Sequence, residues 1–164
     1  MLAGGILNAS LAQALAPMGH GDILIVCDAG FPIPRNAWRI DLAISRGFPE
    51  LIPVLEVIAA NFISEKVVYA DMIPSHNPTL HRHLQRVLSS CDHETVDHAQ
   101  MVGQMARDAK VIVRTGAYEP WGNIALVSGT DPFAWFERPD VKVTEFYRER
   151  MARLESVPRA EEEL

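Results

Sequence analysis

Seven side chains in the predicted loops of this sequence could together bind and act on a small polyhydroxylated molecule. They are two imidazoles, a carboxylate, a guanidinium, an amide and two aromatic rings: His20, Asp28, Arg35, His98, Tyr118, Trp121 and Asn123. An aromatic face packs on the apolar side of a sugar ring, while carboxylate, amide and guanidinium groups bind its hydroxyls. A histidine can also exchange protons near neutral pH. The pattern therefore indicates a monosaccharide site with no metal and no cofactor.

Two of these residues have simple structural alternatives. His20 follows Gly19 and could cap the end of a helix, where a positive group is favourable. Asp28 could bind only the amides of the loop that follows it. These readings stay open beside the functional ones.

The cationic and aromatic candidates are equally open on sequence alone. Arg35 and Arg114 could be surface or interface charges, because arginine is enriched in subunit contacts. Trp121 could anchor an oligomer instead of contacting a sugar. Tyr118 could serve either purpose.

The elements that would position these side chains are predicted from hydrophobic periodicity. Short apolar runs predict buried strands at residues 23–27, 66–70, 111–114 and 123–127. Helical periodicity predicts helices at residues 7–18, 49–62, 78–88, 97–109 and 141–154. Their alternation favours a three-layer α/β/α fold with a mostly parallel central sheet. Ligands bind at the carboxyl ends of strands in such sheets, which is where Asp28 would stand.

Local signals mark the ends of these helices and the shape of the loops. Asn8 or Ser10 could cap the first helix and Gly19 could end it, whereas Asn77 and Asp97 are expected caps of later helices. Residues 29–39 and 116–122 contain prolines and glycines and are predicted to be shaped loops.

Composition limits the classes of protein. The chain has 164 residues, of which 48% are hydrophobic, so it can form the core of about one domain. Its net charge of −6 makes nucleic acid an unexpected partner. We expect no membrane span and no leader peptide, and hence a cytoplasmic protein. Cys27 and Cys91 are expected to be buried thiols.

Several familiar catalytic and binding motifs are absent from the sequence or do not fit its spacing. There is no Gly-rich phosphate loop and no G-x-S-x-G nucleophile elbow. His93 and His98 are five residues apart, so on a helix their rings would point in different directions and could not share a zinc ion. The histidines at 76, 81 and 83 are expected on a solvated helix surface.

Several segments resemble the family of ribose pyranases and L-fucose mutarotases. GHGDILIVCDAGFPIP (19–34) followed by RIDLAIS (39–45) is similar to the D-ribose pyranase branch, and HNPTLH (76–81) follows. The family's closing pattern, G-x-x-x-x-aromatic-x-N between two strands, is matched at residues 116–123. The resemblance covers about residues 1–130. It implies an α/β fold and interconversion of the ring or anomeric forms of a free monosaccharide by general acid/base ring opening and reclosure.

The resemblance also implies roles for individual residues. His20 matches the family's proton donor and Asp28 matches a ligand of sugar hydroxyls. Asn123, the aromatic side chain of Trp121 and, less directly, His98 match other parts of the pocket. The family forms ring-like homo-oligomers, often decamers, with a cofactor-free site near subunit contacts, and we expect the same here.

Two departures from the family pattern affect these expectations. Trp121 stands where tyrosine is usual, and an indole N–H cannot accept a hydrogen bond, so the preferred sugar is open. The chain also continues beyond the usual end of the family. We interpret residues 131–164 as an extension with a helix, packed on the domain of residues 1–130 or on a neighbouring subunit.

Two other functions remain open on sequence alone. A sugar-binding or transport-associated module could have kept the pocket without the chemistry. A glycoside hydrolase would need two carboxylates, for which Asp28 and Asp41 are candidates.

Overall fold

The computed structural model describes residues 5–156, which belong to two compact units, Met1–Gly129 and Thr130–Leu164. The first unit contains a single six-stranded sheet. Its strands are β1 (Ile23–Cys27), β2 (Trp38–Asp41), β3 (Ser64–Ala70), β4 (Asp92–Val96), β5 (Val111–Arg114) and β6 (Asn123–Ser128).

The sheet is mostly parallel, as predicted, with one exception in its centre. The strand order is β2-β5-β1-β6-β3-β4. β6 runs antiparallel to both of its neighbours, β1 and β3, whereas every other neighbouring pair is parallel. The first residue of β6 therefore lies beside the carboxyl ends of β1 and β3, on the side of the sheet where all of the parallel strands end.

Helices cover both faces of this sheet. They are α1 (Ala9–Leu15), α2 (Leu51–Ala59), α3 (Ile73–His76), α4 (Pro78–Val87), α5 (His98–Gln100) and α6 (Ala106–Asp108), with a π-helical turn at Met101–Met105. Successive strand side chains point to opposite faces. Leu24 and Val26 of β1 join the core with α1, α2 and α4, while Ile25 and Cys27 join a second cluster with Met101. The predicted three-layer α/β/α fold is confirmed.

The caps explain where the helices begin and end. Asn8 caps α1, because its Oδ1 accepts a hydrogen bond from the Leu11 N–H at 2.9 Å. The helix ends at Leu15, because Pro17 cannot donate the next backbone hydrogen bond. The prediction that Gly19 ends this helix is wrong, and Gly21, with φ +84°, is the left-handed residue in this connection.

Two edge strands were missed by the sequence analysis. β2 begins at Trp38, inside the predicted loop of residues 29–39. β4 has no apolar run, because most of its side chains are exposed at the edge of the sheet. His93 lies in this strand and His98 is the first residue of α5, so the two histidines do not share a helix.

The second unit contains α7 (Pro132–Trp135) and α8 (Glu145–Ser156). Asp131 caps α7, accepting hydrogen bonds from the N–H groups of Phe133 and Ala134. The ring of Phe136 lies 5.0 Å from that of Tyr147, which joins the two helices. Across residues 5–156, no helix is both long enough and apolar enough to cross a bilayer.

Candidate active site

Asp28 and Asn123 lie close together where β1 ends and its neighbour β6 begins. Cys27 and Asn123 are paired across the two antiparallel strands, so the residue after β1 is placed beside the first residue of β6. The Asp28 N–H lies 3.4 Å from the Asn123 Oδ1, and Asn123 is only 4% exposed. Because β6 pairs with β1, the Asn123 amide, late in the sequence of the first unit, lies beside Asp28, which comes early in the same unit.

The Asp28 carboxylate is partly buried and bound to its own loop. Its Oδ1 accepts a hydrogen bond from the Gly30 N–H at 2.6 Å. Burial raises the pKa of Asp28 above its ordinary value, and hydrogen bonds from Gly30, Phe31 and Asn123 offset this only in part. The loop-binding alternative for Asp28 is therefore correct for one oxygen, and it is compatible with a second role.

A cavity of 340 Å³ opens beside Asp28. Its lining consists of Asp28, Ala29, Gly30, Ala117, Tyr118, Glu119 and Pro120. This volume is at the lower end of the range for small-molecule sites. Of the seven predicted residues, Asp28 and Tyr118 line this cavity directly.

His98, the first residue of α5, lies close enough to the Asp28 carboxylate to interact with it electrostatically. It opens α5 directly after β4, at the edge where the parallel strands end, and it is partly buried. Its positive charge, when present, lowers the pKa of Asp28, although less than burial raises it. His98 therefore belongs with Asp28 and Asn123 in one region of the molecule.

Trp121 occupies a tight turn next to the cavity. The Gly122 N–H donates to the Glu119 carbonyl at 2.9 Å, closing a turn with Pro120 and Trp121 at its centre. Trp121 has φ 58°, a left-handed conformation that costs about 1–3 kcal/mol for a bulky residue. Its indole is partly buried, packs against the core and meets the His76 ring edge-on with centroids 5.7 Å apart.

The predicted arginines and Tyr118 lie nearer the surface. Tyr118 is 66% exposed, and the Arg46 guanidinium lies 4.7 Å from the centre of its ring. Arg35 is exposed in the loop after β1. Arg114 donates from Nε to the Ala29 carbonyl at 3.0 Å and from Nη1 to Asp41 at 3.1 Å. Arg114 thus ties the loop after β1 to the end of β2.

Asp41 does not resemble a catalytic acid. Burial raises its pKa, but hydrogen bonds from Arg39 and Arg114 outweigh this and hold the pKa below its ordinary value. A glycosidase nucleophile or base needs a carboxylate oxygen that can reach its substrate. Both oxygens of Asp41 accept hydrogen bonds from the Arg114 guanidinium, and one also accepts from Arg39, so the geometry gives the hydrolase alternative no support.

His20 lies at the opposite end of β1 from Asp28, on the side of the sheet where the parallel strands begin. It precedes β1 whereas Asp28 follows it, and the strand alone spans about 13 Å. The His20 Nε2 lies 3.1 Å from both carboxylate oxygens of Glu65, near the start of β3, and the imidazole is 44% exposed. The structure thus separates His20 from Asp28 within one chain, so Asp28 does not orient this imidazole in the same chain.

Three residues that contact either the cavity lining or His20 were not identified as functional from the sequence. Glu119 lines the cavity and accepts a hydrogen bond from Asn77, and Glu65 binds His20. Asn77 was identified only as a helix cap. No signal in the sequence connects these residues across the chain, because each pair is brought together by the strand order. Within residues 5–156 there is no cluster of three or more histidine, cysteine, aspartate or glutamate side chains able to hold a metal ion.

Comparison with known proteins assigns this arrangement to a family. The model of the RbsD / FucU transport protein family matches residues 1–131. The chain belongs to this family. D-ribose pyranase 1 of Streptomyces griseus is 50% identical over 147 residues, covering 90% of this chain and 97% of that protein. These 147 residues exceed the 131 matched by the RbsD / FucU model, so the similarity continues into the extension.

Solved structures of the RbsD / FucU family have the same fold. RbsD of Bacillus subtilis, complexed with D-ribose, is 34% identical, covers 80% of this chain and 99% of its own, and has a TM-score of 0.76. A fucose mutarotase of Streptococcus pneumoniae, in complex with L-fucose, is 19% identical, covers 75% and 93% of the two chains, and has a TM-score of 0.64. The second similarity concerns the fold alone.

Proposed function

We propose that the protein is an isomerase that interconverts the ring forms of a free monosaccharide, with D-ribose as the first candidate. The observation that carries the proposal is the cavity beside Asp28, in a chain 50% identical to a protein named D-ribose pyranase. D-ribose is also the molecule bound to the similar Bacillus subtilis RbsD.

The reaction needs two proton transfers. A proton is delivered to the ring oxygen while another leaves the anomeric hydroxyl, and the open aldehyde then closes on another face or through another hydroxyl. No electrons are gained or lost, so side chains that carry protons are sufficient. A positioned acid/base group contributes about 10²–10⁴-fold to such a step.

The residues divide these tasks according to their chemistry. Asp28 accepts hydroxyl hydrogens, with one oxygen held by its loop, and Asn123 supports it from the start of β6. His98, Tyr118 and Trp121 complete the binding region, and Arg35 is a further candidate from the same loop. His20 transfers the protons, with its ring oriented by Glu65.

The position of His20 leads to a second part of the proposal. Because His20 and Asp28 are at opposite ends of β1, one site can contain both only if two chains contribute to it. The exposed imidazole of one copy then faces the Asp28 cavity of another. This arrangement supports a homo-oligomer, for which a ring such as a decamer is the form we propose.

Exchange NMR tests the function directly. Saturation transfer between anomeric signals of D-ribose, L-fucose and other free sugars is measured with the wild type and with His20→Ala. The wild type is expected to accelerate exchange of at least one sugar and the variant to lose about 10²-fold or more of this acceleration. No acceleration of any pentose or hexose by the wild type would reject the proposal.

Mixing two variants of low activity tests the shared site. His20→Ala and Asp28→Asn chains are produced together, so that mixed oligomers form. If each site uses two copies, about a quarter of the sites in a random mixture combine an intact His20 with an intact Asp28, and activity returns to about that level. No recovery in confirmed mixed oligomers contradicts a shared site.

A binding module without catalysis is the second candidate. The family carries transport in its name, and the sequence resemblance implies a tyrosine at the position of Trp121. Calorimetry and exchange NMR together distinguish the two candidates. A binding module gives a calorimetric binding signal with its sugar but leaves the exchange rate of that sugar unchanged.

A further inference from the structure

The junction between α3 and α4 is tied to the turn beside the cavity by one side chain. Asn77 caps α4, with its Oδ1 accepting from the Leu80 N–H at 3.2 Å. The Nδ2 of the same amide donates to the Glu119 Oε1 at 2.6 Å and to the Pro120 carbonyl at 3.2 Å. Asn77 therefore links the start of a helix to two residues that line the cavity.

The turn at residues 119–122 needs this outside support. Trp121 has a positive φ that bulky side chains rarely adopt, and such a conformation persists only where the surroundings hold it. At Gly122 there is no room for a side chain, because an added Cβ would lie 2.7 Å from the Glu119 Cβ. The turn is therefore crowded internally, between Glu119 and Gly122, and Asn77 binds it from outside.

We propose that Asn77 and Glu119 are a positioning pair that holds the turn at residues 119–122 in place as a wall of the sugar pocket. The proposal rests on the proposed function. Asn77 does not line the cavity and acts through the turn, and a hydrogen bond to a carboxylate is stronger than one between neutral groups. The edge-on contact between His76 and Trp121 supports the same turn from the same junction.

Sugar exchange kinetics of four variants test the pair. Asn77→Ser keeps a side-chain oxygen that can cap α4 but removes both amide donors. Glu119→Ala removes the acceptor. A displaced pocket wall weakens ground-state and transition-state binding alike, so both variants are expected to raise KM about fivefold to tenfold with kcat within about twofold.

Rescue and coupling separate positioning from general damage. Glu119→Gln keeps an oxygen that can accept from the Asn77 Nδ2, so it is expected to recover most of the loss in KM. The double variant Asn77→Ser/Glu119→Ala is expected to lose no more than the larger single loss, because both changes remove one interaction. Additive losses, or a fall in kcat at constant KM, would overturn the proposal.

A spectroscopic measurement keeps the test separate from the fate of the proposed function. The indole N–H signal of Trp121 in ¹H–¹⁵N spectra is expected to move in Asn77→Ser and Glu119→Ala and to stay in place in Glu119→Gln. An unmoved signal in the first two variants overturns the pair. If the wild type accelerates no sugar exchange, the proposed function fails, and this signal still tests whether the pair holds the turn.

Discussion

Asp28 and Asp41 are two carboxylates in the same region with opposite electrostatic character. Burial raises the pKa of Asp28, whereas hydrogen bonds from Arg39 and Arg114 lower that of Asp41 in spite of partial burial. The charged form of Asp28 therefore opposes folding at neutral pH, while the charged form of Asp41 favours it. A residue kept at a cost to stability is typical of a binding site.

Replacing each carboxylate by its amide is expected to separate these roles. Asp28→Asn should lower the sugar exchange rate at least about tenfold, because hydrogen bonds to a charged acceptor are lost, without lowering the melting temperature at pH 7. Asp41→Asn should lower the melting temperature. Thermal unfolding and exchange NMR on the same samples measure both effects, and a large loss of stability in Asp28→Asn would contradict this assignment.

The pH dependence follows from the same two directions. A carboxyl with a raised folded-state pKa binds its proton more tightly in the folded chain, so the destabilisation from charged Asp28 disappears as pH falls through that pKa. For Asp41 the stabilisation is present above its unfolded value and is lost as pH falls through its lowered pKa. The stability difference between wild type and Asp28→Asn should thus shrink on acidification, as unfolding curves at several pH values would measure.

Residue types alone could predict the chemistry but not the partners. Asp28, Asn123 and His98 were identified from their residue types at the ends of predicted strands and helices, and the structure brings them together. His20 was identified because its segment resembles the one that holds the family's proton donor. The predicted strand at residues 23–27 already implied that His20 and Asp28 lie at opposite ends of that strand. The contacts of Glu119 and Glu65 depend on strand order, which no local pattern reveals.

At the scale of elements, the turn at residues 119–122 is the most constrained part of the site. A methyl group at Gly122 would lie 2.7 Å from the Glu119 Cβ and 2.9 Å from its carbonyl oxygen. Gly122→Ala is therefore expected to displace the turn, lower the unfolding free energy by about 1–3 kcal/mol and weaken sugar binding. Chemical denaturation and exchange kinetics measure the two effects.

Gly103 provides the matched control for this substitution. It lies in the π-helical turn, has no positive φ, and an added Cβ there would meet no atom within 4 Å. Gly103→Ala is expected to leave stability unchanged or raise it slightly, because alanine favours helices. Equal losses in the two variants would show that the crowding at Gly122 is not the cause.

The elements themselves were predicted unevenly, for physical reasons. β1, β5 and β6 are buried and apolar, so hydrophobic runs reveal them. β2 and β4 lie at the edges of the sheet, where side chains are exposed and the backbone ladder alone defines the strand. Burial, rather than strand length, decides which strands can be predicted from one sequence, because the predicted β5 and the missed β2 each have four residues.

At the scale of the whole molecule, the sheet and both hydrophobic clusters lie entirely within the first unit. A chain ending at Gly129 is therefore expected to fold cooperatively, with a melting temperature within a few degrees of the full chain. Calorimetry and circular dichroism measure this. An unfolded truncated chain would contradict the division into two units.

The same truncation tests the role of the extension. We propose that residues 131–164 pack on a neighbouring subunit or on the domain of residues 1–130 near the pocket, which predicts a smaller oligomer or an altered KM in the shortened chain. Light scattering and exchange kinetics distinguish these outcomes. Unchanged assembly and kinetics would contradict both roles.

The central place of β6 has a consequence for how the polypeptide reaches its native state. Without this strand, β2, β5 and β1 form one half-sheet and β3 and β4 another, with no pairing between them. During synthesis, the edges of β1 and β3 that pair with β6 keep unpaired backbone N–H and C=O groups until residues 123–128 have been added. A chain terminated before that point is expected to carry two unjoined half-sheets with exposed backbone edges and to aggregate, because the native sheet needs almost the entire first unit to be translated.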